Sequence, residues 1–294
     1  MRIPNITFVV FTYNEELRLP RVIRNFAPYG RILVVDNFSA DRTVEIARAG
    51  GCDVLMNKNP GWVEDYETVE KVKAAVRTDW IYWAFADEIV EAPVLEEMRR
   101  VIEEGRYRVV QIIRRNYFHG RFCDDIGATY QTRLFRKEAI DFKDNVIHKF
   151  GRIVDGDSAV YKMRPSLFIH HLMANTVASL IDSTNRYTDL EMTVGRSWNR
   201  GLPYCFLLPF KTMWGDFFVK RGYRAGRPGF SLSALLMIYS IVNTLKHFER
   251  AGRFDRERIN ALNEDVAAGL LREFPETAPR ETVAAEGLEH ISSH

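Results

Sequence analysis

The run Trp80–Ala86 (WIYWAFA) constrains this chain more than any other stretch. It is apolar throughout, rich in aromatic residues, and stops abruptly at two carboxylates, Asp87 and Glu88. A run of this kind fits a central strand covered on both faces. Carboxylates at the carboxyl end of such a strand sit where open α/β sheets bind ligands. Two adjacent acids are costly to crowd together unless a cation shares them. A divalent metal holding a diphosphate meets that need; a solvated turn after a core strand is the other reading.

The flanking pattern says what kind of sheet this strand joins. Ile6–Phe11 and Arg31–Val35 read as strands, followed by helices over Pro20–Ala27 and from a cap at Asp41 to Ala49. Asp53–Met56 is a third strand, Asn57–Val63 a loop and Glu64–Arg77 an amphipathic helix. Strands alternating with helices of this length predict a parallel, doubly wound sheet. No G-x-G-x-x-G follows the first strand, so a dinucleotide site is not expected. Pro93–Glu104 predicts a further helix, and Tyr107–Ile113 and Ala159–His171 further strands. Helices are then expected over Ala174–Trp198, Leu207–Arg221, Phe230–Phe248 and Arg256–Phe274, and a tail over residues 275–294.

Composition narrows the function classes. A net charge of +2 on 294 residues argues against a nucleic-acid partner. Cys52, Cys123 and Cys205 are widely spaced and odd in number, which suggests a reducing compartment and no disulfide framework. The amino terminus reads as a strand rather than a signal peptide. No uninterrupted apolar segment reaches the roughly 18 residues of a membrane span.

In a doubly wound sheet Tyr13, Asp36 and Asp87 arrive at one rim. A flat ring for a base, an acceptor carboxylate for an N–H or ribose hydroxyl, and a carboxylate for a cation are what a nucleoside diphosphate requires. An acid at a strand end is also a common turn cap, so each residue alone is a weak signal.

The segments ITFVVFTYNEE, ILVVDNFSADRT and DWIYWAFADE together resemble the signature of family-2 glycosyltransferases with the GT-A fold. RRNYFHG, QTRLFRK, Val146-Ile147-His148 and RGYRAGRPGFS are similar to bacterial enzymes that add sugars to lipopolysaccharide core and related surface glycans. The resemblance spans Ile3–Phe248. It implies an α/β, Rossmann-like GT-A domain over residues 1–172, with a nucleotide-sugar-binding half (1–115) and an acceptor half (116–172). The helical pattern adds a region over 173–274 that is a candidate for membrane association.

The resemblance also implies roles. Tyr13 lies on the nucleobase with Thr12, Asn14 and Glu15 nearby, and Asp36 contacts base or ribose. Asp87 matches the last acid of the Asp-x-Asp metal motif and holds Mn²⁺ or Mg²⁺. Phe85 stands where the first acid would be, which puts the cation in question; Glu88 is the nearest acid able to compensate. His148 is the candidate late-domain ligand. Inverting transfer by direct displacement needs a carboxylate base, assigned to Asp125 with Asp124 beside it; both also read as turn caps. Arg133 and Arg136 are candidates for the diphosphate. His170 and His171 end a strand, where only one of two neighbours faces a site, and the pair reads as structural.

In the helical half, Phe210, Met213, Trp214, Phe217 and Phe218 form one apolar stripe at helical spacing, flanked by Lys211 and Lys220 and followed by Arg221, Arg224 and Arg227. The stripe suits an anionic membrane surface or a helix packed on the protein's own core. The sequence therefore predicts transfer of a sugar from a nucleotide-sugar donor to a glycan or glycolipid acceptor, in the cytoplasm or at the inner face of the cytoplasmic membrane. A non-catalytic nucleotide-sugar-binding scaffold on the same fold is the alternative. A nucleotidyltransferase is disfavoured because Thr12–Leu19 lacks a Gly-rich basic loop.

Overall fold

The structure, a computed structural model, describes residues 2–59, 64–143, 150–193 and 202–272. His148 and the tail 275–294 lie outside them. Backbone proximity divides the chain into two units, Met1–His247 and Phe248–His294.

The first unit opens with β1 (Ile6–Thr12), α1 (Leu19–Phe26), β2 (Arg31–Asp36), α2 (Thr43–Ala49), β3 (Asp53–Met56), α3 (Tyr66–Ala75) and β4 (Trp80–Phe85). It continues with β5 (Glu88–Val90), α4 (Ala92–Glu104), β6 (Val109–Phe118), β7 (Arg121–Phe122) and β8 (Thr129–Arg136). After β9 (Ile140–Asp141) and β10 (Arg152–Ile153) come β11 (Val160–Lys162) and β12 (Phe168–Leu172), then α5 (Val177–Thr193), α6 (Leu202–Trp214) and α7 (Arg227–Gly252). The second unit holds the end of α7 and α8 (Arg256–Leu270).

The main sheet runs β3-β2-β1-β4-β8-β6-β12-β5. Its first four strands are parallel, as the alternation of strands and helices predicts, and β8 enters antiparallel between β4 and β6. The resulting architecture is a GT-A-like α/β sheet with a helical carboxyl-terminal region. Alternation along each strand feeds two apolar layers. Phe8, Val10, Tyr82 and Ala84 pack with Leu19, Val22 and Phe26 of α1 and with Val94, Leu95 and Met98 of α4. Val9, Leu33, Ile81 and Trp83 pack with Val69 and Val72 of α3. Burying one large apolar side chain contributes about 1.5–3 kcal/mol, so this double cover pins the register of β1 and β4.

Three differences from the sequence reading have local causes. The strand expected over Ala159–His171 is two strands. It breaks at Met163–Leu167 around Pro165, which has no N–H for a ladder. The helix expected over Leu207–Arg221 starts earlier, includes Pro209, and gives way to a π turn at Gly215–Val219. The stretch Arg133–Lys137, which reads as a basic run, is for all but Lys137 the end of strand β8 (Thr129–Arg136).

Candidate active site

Register alone brings three predicted residues to one rim. Thr12 pairs with Asp36 across β1 and β2, and Phe11 pairs with Phe85 across β1 and β4. The carboxyl ends of all three strands therefore lie side by side, and the chain turns at Ala86–Asp87 just beyond.

On the β1–β2 side the rim is a hydrogen-bonded wall. Asp36 is fully buried. Its Oδ2 accepts from Thr12 Oγ1 (2.8 Å) and Ser39 Oγ (2.6 Å), and its Oδ1 from the Ser39 amide (2.8 Å). Asn14 adopts a left-handed backbone (φ 55°), accessible to Asn at modest cost. Its amide donates to Ser39 Oγ, and its Oδ1 accepts from the Ala40 amide, both at 2.8 Å. Asn37 exchanges hydrogen bonds with the backbone of Asn59 (2.8 and 2.9 Å). The loops after β1, β2 and β3 are thus stitched to one another, with Tyr13 half exposed at the top.

On the β4 side, Asp87 lies in the turn after β4, and Glu88 opens β5. Asp87 reaches the rim. Its Oδ2 meets His171 Nε2 at 3.1 Å, and the other ring nitrogen, Nδ1, meets Asn116 Oδ1 at 2.8 Å. Asn116 is itself oriented, because its Nδ2 donates to the Ile126 carbonyl (2.9 Å). Its Oδ1 must therefore accept, which makes His171 Nδ1 the donor. Nε2 then faces Asp87 either as the second N–H of an imidazolium or, in the neutral ring, as a bare lone pair. A lone pair set against a carboxylate is repulsive unless a cation lies between them.

That arrangement fits a hard divalent cation. Asp87 and His171 supply an oxygen and a nitrogen, and Mg²⁺- or Mn²⁺-type ions commonly keep substrate phosphate oxygens and waters as their remaining ligands. Among the described residues no group of three or more His, Cys, Asp and Glu gathers to hold a metal, so the fit rests on two protein ligands. Burial pushes the Asp87 carboxyl up, but the hydrogen bond and charge of His171, with the charges of Arg18 and Arg114, outweigh it and hold the group below its ordinary value. Glu15 moves the other way. Burial pushes it up, assisted by the charge of Asp87, against the pull of its Arg18 partner.

Glu88 does not share the rim. It is buried, and its Oε1 pairs with Arg133 (2.5 Å) and Arg114 (3.5 Å). No acceptor can reach it there, so the expected catalytic or compensating part does not suit its position. Arg133 is likewise turned inward. Pairing of β6 with β8 slips between Val110 and Gln111, leaving Arg133 as the extra residue of a bulge, a device that re-aims a side chain. Its guanidinium lies over the Phe85 ring, 4.8 Å from the centroid. Phe85, where an acid was expected, is therefore one wall of a slot for Arg133. Arg136 sits at the opposite end of β4, opposite Trp80, paired with Glu138 and Asp79. Because β8 runs antiparallel, one of the two arginines is interior and the other is at the far rim.

Asp124 and Asp125 lie in the turn between β7 and β8, shaped by left-handed Asp124 (φ 47°) and Gly127 (φ 63°). Asp125 Oδ1 accepts from Arg115 Nε at 2.9 Å. The same turn supplies the Ile126 carbonyl that orients Asn116. The candidate base segment is therefore tied to Asp87 through Ile126, Asn116 and His171. Sequence reasoning missed Asn116 and placed His171 with structural residues. The signal it had was the parity of His170-His171: His170 bonds Tyr117 (2.9 Å), and its neighbour faces the rim.

Comparison with known proteins decides the family. Residues 7–163, more than half of the chain, match the description "Glycosyl transferase family 2". The chain belongs to that family. An uncharacterized glycosyltransferase of Rickettsia bellii is 27% identical over 203 residues, covering 62% of this chain and 65% of that protein. An uncharacterized glycosyltransferase of Rickettsia prowazekii is 25% identical over 241 residues, covering 76% and 80%. The chain thus spans just under two thirds of the first of these relatives. Among solved structures, glucosyl-3-phosphoglycerate synthase from Mycobacterium tuberculosis, in complex with Mn²⁺, UDP and phosphoglyceric acid, has 20% identity. It gives a TM-score of 0.31 over 40% of this chain and 44% of that one.

Proposed function

We propose that this family 2 member transfers a sugar from a nucleoside-diphosphate sugar to a hydroxyl of a lipid-anchored or cell-surface glycan, with inversion by direct displacement. The observation that carries the reading is the Asp87–His171 pair on the same rim as the Thr12–Asp36 wall. It sets a cation-binding couple beside a pre-built loop cluster with an exposed ring, Tyr13.

The residues divide the work. Tyr13 offers a face for the base, and the Asn14–Ser39–Asp36 stitching holds the wall against which base and ribose lie. Asp87 and His171 hold the divalent cation, which when bound neutralises the leaving diphosphate. An oxygen-plus-imidazole pair suits Mn²⁺ better than Mg²⁺, since imidazole is the softer ligand. The acceptor oxygen attacks the anomeric carbon from the face opposite the diphosphate. The carbon–oxygen bond to the diphosphate breaks with its electron pair, and the acceptor proton passes to a carboxylate. Asp125 takes that proton in this reading. Its Oδ1 is engaged by Arg115, which leaves Oδ2 for the hydroxyl, with Asp124 adjacent.

A non-catalytic nucleotide-sugar-binding scaffold is favoured by one observation, the Phe85 ring committed to Arg133 where the family resemblance implies an acid. Turnover separates the two. A thermal-shift screen against UDP-, GDP-, CMP- and dTDP-sugars with and without Mn²⁺ identifies the donor, because a ligand of the native state raises the melting temperature. Donor hydrolysis and transfer are then compared between wild type and Asp87→Ala. Sugar transfer predicts Mn²⁺-dependent turnover lost in the variant; equal turnover removes Asp87 from the mechanism, and binding without turnover supports the scaffold.

A further inference from the structure

The segment from α6 to the start of α7 has two faces of opposite character. Outward, Phe210, Trp214 and Phe218 recur every fourth residue at 71%, 62% and 48% exposure, joined by Val219, Tyr223 and Phe230. Trp214, Phe218, Tyr223 and Phe230 are contiguous through Phe217. Trp214 and Phe218 ring centroids are 4.5 Å apart, and Phe217 links Phe218 (5.1 Å) to Tyr223 (6.4 Å) and Phe230 (5.8 Å). A soluble surface scatters such residues singly; a joined aromatic patch marks an interaction site.

The same segment is strongly basic, and its cations are exposed. Between Leu207 and Phe230 stand Lys211, Lys220, Arg221, Arg224 and Arg227 against a single acid, Asp216. Asp216 is buried and already paired with Lys220 at 2.6 Å. Among the described residues Lys211, Arg221, Arg224 and Arg227 make no side-chain ion pair. An aromatic patch ringed by uncompensated cations complements an anionic lipid headgroup layer, into which rings insert and around which Lys and Arg snorkel.

The inner face of this segment packs on the candidate base turn. Gly222 lies so close that a Cβ would meet Ile126 Cδ1 at 2.5 Å and the Asp216 carbonyl at 2.8 Å. Gly229 lies closer still to Gly222: a Cβ there would be 2.0 Å from the Gly222 carbonyl. Ala225, Leu232 and Leu235 share a core with Ile126, Phe118 and Cys123. One short segment thus turns rings and cations outward and supports, on its other side, the turn bearing Asp124 and Asp125.

We infer that the Phe210–Phe230 face docks on an anionic lipid bilayer and, through its packing on Ile126, holds the base turn next to lipid-borne acceptors. This rests on the sugar-transfer reading for its purpose, while the docking itself is measured without turnover.

The test is co-sedimentation of the full chain with phosphatidylcholine vesicles, with and without phosphatidylglycerol, at low and high salt. Binding is expected only with phosphatidylglycerol and should fall as salt rises. Trp214→Ser with Phe218→Ser should abolish it, and Arg224→Glu with Arg227→Glu should weaken it about 25-fold or more. Both variants should keep the wild-type melting temperature and nucleotide-dependent thermal shift, since neither touches the rim. Absence of wild-type binding to the anionic vesicles, or variants that bind as wild type does, overturns the inference. So does a dimer in light scattering that Trp214→Ser with Phe218→Ser dissolves, which would make the patch an interface between copies of this chain. A wild type that binds vesicles but no nucleotide would refute sugar transfer and leave the docking in place.

Discussion

Replacing Asn116 by Ala separates positioning from packing at the rim. Asn116 is buried and bridges the Ile126 carbonyl to His171 Nδ1 with bonds of 2.9 and 2.8 Å. Truncation strands one acceptor and one donor, which costs about 1–3 kcal/mol of stability if water does not replace the amide. It also frees the imidazole to rotate or change tautomer, so Nε2 no longer has a fixed lone pair to present beside Asp87. Loss of an outer-shell partner of a metal-bound histidine lowers metal affinity by about 10–100-fold, equivalent to about 1.4–2.8 kcal/mol. The assay is titration of Mn²⁺ into protein saturated with UDP, followed by calorimetry or Mn²⁺ spin resonance, well below the melting temperature of both proteins. His171→Ala sets the scale for complete loss of the imidazole. An Asn116→Ala protein that is less stable but binds Mn²⁺ as tightly as wild type would refute the assignment of the tautomer by Asn116.

Three further outcomes follow from particular contacts. Glu88→Leu should destabilise by about 3–5 kcal/mol, because it leaves the Arg133 guanidinium buried without its carboxylate. Adding Arg133→Met should recover most of the loss in chemical denaturation, and strictly additive losses would show that the pair is not coupled. The hydrogen bond from Arg100 holds the Glu97 carboxyl down at about 2, with Tyr161 assisting against burial. Its stabilising contribution is therefore present above the unfolded-state value and is lost as pH falls toward 2. Asp87, also depressed, follows the same sign, and Glu15, raised, the opposite one. Glu97→Gln should flatten the acid limb of a stability–pH curve, and an unchanged limb would count against that bond. Gly222→Ala should lower the melting temperature, since overpacking of this kind costs about 1–3 kcal/mol. A variant as stable as wild type would mean the contact with Ile126 gives way freely.

The amino-terminal half of the fold is legible because its signals are local. Each strand from β1 to β4 is a short apolar run closed by a turn residue, and the sheet rim then follows from topology. Asp87 is legible for the same reason. The other half of the site is assembled by pairing that no local pattern encodes. His171 meets Asp87 across 84 residues of sequence, and it does so because β12 places His171 opposite Glu88 of β5. Arg133 reads as a surface or phosphate-binding arginine until the bulge in β8 turns it inward. Glu88 looks equivalent to Asp87 until Arg133 and Arg114, brought in by β8 and β6, take up its carboxylate. The helical stripe is legible as a stripe, but Met213 and Phe217 turn partly inward while Phe210, Trp214 and Phe218 stay out.

The stitching among Asn14, Ser39, Asp36, Asn37 and Asn59 has a consequence for how donor preference can change. Three loops that share hydrogen bonds answer to a substitution in any one of them as a single body. In the proposed sugar-transfer reading, swapping the residue that touches the base would shift ribose contacts at the same moment. Nucleotide choice in such a scaffold is therefore reset by coordinated replacements across all three loops, and a lone exchange is expected to weaken every donor rather than redirect the protein from one to another.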